Sequence, residues 1–146
     1  MLKQTLLEFF ERDLIKLKEE IDLYQEKRLL WILNGEIANT AGNLCLHLTG
    51  NLNHFIGATL GNTGYIRDRD SEFNLKNVPR KMLIADIENQ RVVLSTLKFL
   101  PDAGFAKNFP LEKHGKELTT ENMLIHLLGH LNYHLGQINY HRRLVS

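Results

Sequence analysis

The chain has 146 residues, of which 43% are hydrophobic and 24% charged, with a formal net charge of +1. That length makes one domain with a proper core, residues 1–146. Basic residues scattered among acidic ones, including the short HRR near the end, argue against nucleic acid as a partner. The single Cys45 excludes an intramolecular disulfide framework and fits a reducing, cytoplasmic setting; no apolar run reaches the length of a signal peptide or membrane span.

Leu7, Phe10, Leu14, Leu17, Ile21 and Tyr24 recur in steps of three and four, so the first helix is expected over residues 4 to 30. Asn34-Gly35 signals a turn, and Trp31 before it reads as a plug at the bundle end, with an aromatic wall for a ligand as its other use. Asn39 or Thr40 caps a second helix reaching residue 60, where Gly61 ends it. His47, Asn51 and His54 share a face of this helix with Leu44, Leu48 and Phe55, which places polar groups among core residues. Residues 61–77 form a long connection. Its RDRD run with Glu72 reads first as a salt-bridged or solvated surface, Asp70 and Glu72 being the carboxylates within reach of a site. Asn77 and Pro79 open a third helix that carries Leu83, Ile87, Leu94 and Leu97 and stops by Pro101. The connection 101–118 suggests a short β-hairpin around His114-Gly115. Thr119 caps the last helix, with Glu121 in its first turn.

Four such helices make an all-α bundle. The tight turn after the first sets helices 1 and 2 antiparallel, and the connection 61–77 is long enough to leave helices 2 and 3 parallel. The expected order is therefore up-down-down-up.

The last helix carries His126, His130, His134, Gln137 and His141 within an arc of roughly 80° at about 100° per residue. His130 and His134, at i and i+4, present two ring nitrogens to one point, as a metal site requires. Half-exposed histidines bonded to water or backbone explain this helix equally well. Counted along the helices, either His47 or His54 meets the pair, and counting does not choose between them.

NLCLHLTGNLNHF, RDRDSEF and HLNYHLGQI together resemble the DinB/YfiT-like superfamily of four-helix-bundle metal proteins, over nearly the whole chain. The resemblance implies the up-down-down-up bundle and a metal held by three histidines: His47 from the second helix and His130 and His134 from the last. His54 and His126 then become neighbours or surface residues. At Leu135 many relatives carry a basic residue, so an anion contact from that position is not expected here. Three imidazoles with one open position are how a catalytic zinc is held, and nickel or ferrous iron accepts the same donors. Asn51, Tyr133 and Gln137 are spaced to bond the ligands' outer nitrogens. No Glu lies between the two histidines of the last helix, so zincin-type proteolysis has no support. The resemblance implies a metal-dependent hydrolase, or a transferase acting on a small-molecule substrate such as a low-molecular-weight thiol. The alternative is a non-catalytic metal-binding or dimer-forming protein. A homodimer is expected, the long stripe of the first helix being available to a partner.

Overall fold

The structure is a computed structural model that describes residues 1–112 and 115–146. Among the described residues it is all-helical: α1 (Leu2–Leu23), α2 (Ala41–Leu52), α3 (Arg69–Asn74), α4 (Arg80–Ser95) and α5 (Thr120–Val145), with short 3-10 turns between them. Among the described residues no helix is long and apolar enough to cross a membrane.

The stripe on α1 is spent on the chain's own core. Phe10, Leu14, Leu17, Ile21 and Tyr24 are all buried, together with Leu48, Leu52, Leu83, Leu124, Leu127 and Ile138. It is therefore not the surface a second copy would use. The helix ends earlier than its periodicity predicts, because Tyr24 turns to extended backbone. Its hydroxyl reaches the Ile138 carbonyl and the His141 ring, while Arg80 covers the carbonyls of Asp22 and Tyr24 that the helix leaves open. Residues Lys27–Trp31 follow as a separate 3-10 turn. The indole of Trp31 lies so close over Gly42 that a methyl there would strike it, which fits the plug.

Thr40 caps α2 by accepting from the Asn43 amide. After Leu52 the helix widens into a π-helical stretch, Asn53–Ala58, before the turn at Gly61. The long connection is not all loop. Asp68 accepts from the amide and hydroxyl of Ser71 and starts α3, whose first turn carries Asp70 and Glu72. The Asn43 side chain then ties α3 to α2 by donating to the Glu72 and Leu75 carbonyls at 3.0 and 2.8 Å.

Side-chain pairs give the directions. Asn132 donates to Asp13 and Asn139 to Glu20, so α5 runs with α1. Lys18 meets Glu88, while Arg80 meets the far end of α1 and Lys3 the Lys98 carbonyl, so α4 runs against α1. Leu44 shares a cavity with Gln137, Tyr140 and His141, whereas His47 meets His130 and His134, so α2 runs against α5.

The expected hairpin does not form among the described residues. Among the described residues an antiparallel bridge pairs Asn108 with Thr119, and no strand extends from it. Pro110 has no N–H to continue a ladder, and Thr119 is already committed to capping α5. The expected turn includes His114, which lies outside the described residues.

Candidate metal centre

His47, His130 and His134 converge. Each offers a ring nitrogen, and the three nitrogens lie within 4.8 Å of one another. The Nε2 atoms of His47 and His130 are 3.0 Å apart. The rings meet edge to face, with centroids 4.5 Å apart for His130 and His134 and 4.9 and 5.3 Å from His47 to each. His47 is buried and the other two half-buried.

Two of the rings are held from behind. His47 Nδ1 lies 3.0 Å from Oε1 of Glu72, and His134 Nδ1 lies 2.7 Å from Oε1 of Gln137. Both partners are acceptors, so Nδ1 carries the proton in each ring and donates it. Nε2 is left with its lone pair toward the cluster. Glu72 is itself clamped by Arg67, which donates from Nε at 2.9 Å and from its terminal nitrogen at 3.0 Å. Glu72 is only 5% exposed. Burial pushes its carboxyl up, but hydrogen bonds from His47 and Arg67, with the Arg67 charge, outweigh that and hold it below the usual carboxylate range. For His134, burial lowers the ring's pKa first, the bond to Gln137 opposes this, and the neighbouring His47 adds to the lowering. The two shifts favour an ionised carboxylate behind His47 and a neutral ring at His134.

The donor set suits a divalent cation. Three neutral nitrogens leave the ion its charge and at least one free position. The reach of Glu72 depends on Gly50, since a methyl group at that position would run into the carboxylate.

Gln137 stands where its spacing predicts, bonded to the His134 ring. Tyr133 is two-thirds exposed; its ring sits edge-on to His134 at 5.2 Å and makes no hydrogen bond to the three histidines among the described residues. Asn51 is buried, yet its Oδ1 is enclosed with no hydrogen-bond partner. Leaving such an acceptor unmatched costs about 1–3 kcal/mol. His54 lies outside the cluster, in the π-helical stretch, with its ring against Phe55 at 4.7 Å. His126 is exposed on α5. His141 shares the arc of His130 and His134 but serves the core: its Nε2 lies 2.6 Å from the Ile32 carbonyl and its Nδ1 2.7 Å from the Tyr24 hydroxyl. Cys45 is fully buried, and burial pushes its thiol up, which keeps it from acting as a nucleophile. Leu135 is a core residue.

Of the two carboxylates within reach by sequence, Glu72 is the one that meets the cluster, through His47. It belongs to a salt bridge, as alternating charges suggest, but a buried one that backs a histidine; Asp70 on the same turn is exposed. The signal that finds it is Asp68 as a helix cap followed by acidic residues, which marks a short helix inside the connection.

A helical protein with three converging histidines is the class this geometry defines. The family model described as "Protein of unknown function (DUF1572)" matches residues 4–146, and the chain belongs to that family. No curated protein matches it.

Proposed function

We propose that the protein binds a divalent metal, zinc in the first instance, through His47, His130 and His134, with an open position for a small-molecule guest. Nickel and ferrous iron are the other ions the donors suit. The observation that carries this is the convergence of three ring nitrogens, on two rings of which Nδ1 is turned away and hydrogen-bonded to an acceptor behind the ring. A metal held there would polarise a guest and either bring a bound water's pKa toward neutrality or activate a thiolate. The chain's own part is to hold it. Glu72 keeps the proton on His47 Nδ1, Gln137 keeps it on His134 Nδ1, and Arg67 keeps Glu72 in place.

The activity we assign is hydrolysis, or transfer of a low-molecular-weight thiol, in a cytoplasmic setting. The pairings of α5 with α1, of α4 against α1 and of α2 against α5 support an up-down-down-up order. They fit the DinB/YfiT-like superfamily that the sequence resembles. The second proposal is a metal-binding protein without turnover, as a homodimer or otherwise; among the described residues the carboxylate bonded to the cluster is Glu72, already engaged by Arg67, which favours it. Elemental analysis of protein made without a histidine tag tests the first step and should return close to one metal per chain. Turnover of thiols with electrophiles, and of esters, that vanishes with chelation separates the two proposals. Protein that takes up no metal from excess zinc would overturn both.

A further inference from the structure

We propose that Asn51 recognises the guest at this centre, and that the guest carries an N–H or O–H beside the atom that meets the metal. The inference rests on the metal reading above and adds the chemistry of what binds. Asn51 is 4% exposed, and its Oδ1 is sealed from solvent without a donor. Buried amide oxygens are nearly always matched in folded proteins, so a donor is missing.

The position of Asn51 says where that donor arrives. Around α2, at about 100° per residue, Asn51 lies about 40° from His47, on the same side as Leu44 at about 60°. Leu44 faces α5, since it lines a cavity with Gln137, Tyr140 and His141. Gly50 lies about 60° the other way, where Glu72 covers the helix. Asn51 therefore stands on the α5 side, one turn along the wall from which His47 reaches His130 and His134.

The neighbouring acceptors are already engaged. Glu72 accepts a hydrogen bond from His47 Nδ1, Gln137 accepts one from His134 Nδ1, and the Thr49 hydroxyl turns back to the carbonyls of Cys45 and Leu46. Asn51 is the acceptor left over for what enters. Hydroxamates, alcohols and amides meet this requirement. Azide also binds metals but offers Asn51 no proton.

The test uses the full chain loaded with cobalt(II), titrated with acetohydroxamate and with azide and followed by visible absorption. Asn51→Leu keeps the side chain's size and removes the acceptor; Asn51→Ala serves in case leucine does not fit. The expected result is acetohydroxamate binding about tenfold weaker, on the scale of one hydrogen bond, with azide and cobalt affinities within about twofold. The metal-free Asn51→Leu protein should melt no lower than the parent, because an unmatched amide has been replaced by an apolar side chain. Equal weakening of acetohydroxamate and azide would overturn the inference. So would a loss of cobalt affinity in both variants, which would mean that Asn51 serves the His130 ring instead. A parent protein that takes up no cobalt is a different result, and it would remove the metal reading together with this one.

Discussion

Replacing Gly50 with alanine adds one methyl group at the point where α2 and Glu72 touch. In an ordinary helix position the change would help, since alanine is favoured over glycine by about 1 kcal/mol. Here the new carbon would overlap the Glu72 carboxylate, which is held by one bond from His47 and two from Arg67. Glu72 must move, and hydrogen bonds to charged groups contribute about 1.5–3 kcal/mol each. Loss of even one outweighs the helix gain. For one bond lost the net expectation is a destabilisation of about 0.5–2 kcal/mol, a fall of a few degrees in melting temperature for a chain of this size. With His47 no longer backed by a carboxylate, zinc affinity should fall about 10–100-fold. Gly129 is the control: it lies on α5 with open space where a Cβ would sit, and Gly129→Ala should be stabilising by about 1 kcal/mol with zinc affinity unchanged. Thermal unfolding of the metal-free proteins and competition with a chromophoric chelator measure both quantities. If Gly50→Ala behaved like Gly129→Ala, the placement of Glu72 against α2 would be refuted.

Arg67→Ala leaves the Glu72 carboxylate buried without its cation and should cost about 3 kcal/mol at neutral pH by denaturant unfolding. Glu72 sits below its ordinary value of 4.5, so this pairing contributes fully above 4.5 and is lost as pH falls through the lower folded value; the gap between parent and variant should close in that range. His134→Gln tests the ring held below its ordinary 6.5: the parent's neutral His134 contributes stability above 6.5 that fades as pH falls through the lower folded value, and the variant should lack that fade. His141→Leu strips partners from the Ile32 carbonyl and the Tyr24 hydroxyl. It should lower stability by about 2–3 kcal/mol while zinc titrations remain unchanged.

Much of this architecture can be read from the residues. Thr40 and Thr119 cap the helices their hydroxyls announce, and the spacing of His130 and His134 places both rings at one point. Periodicity is a local signal, and it fails where a distant group decides. The stripe of α1 runs through Tyr24, yet the helix stops at Leu23 because Tyr24 is drawn to His141, 117 residues away. His141 falls on the ligand arc, yet its surroundings are set by Ile32 and Tyr24, which helical spacing on α5 says nothing about. The choice of Glu72 over Asp70 is beyond the sequence for the same reason. Its value depends on Asn43 fastening α3 to α2 and on a bare Gly50 beneath it, two long-range facts that a charge pattern does not carry.

Asp13 and Glu20 are seven residues apart on α1, and Asn132 and Asn139, which donate to them, are seven apart on α5. Two matched clasps at one spacing act like a pair of dowels. To shift α5 lengthwise by a turn, both acids would have to give up their partners while buried. His134 lies between the dowels and His130 just outside them, so the height of the imidazole pair along the bundle axis is set by how α5 is fastened to α1 rather than by α5 alone.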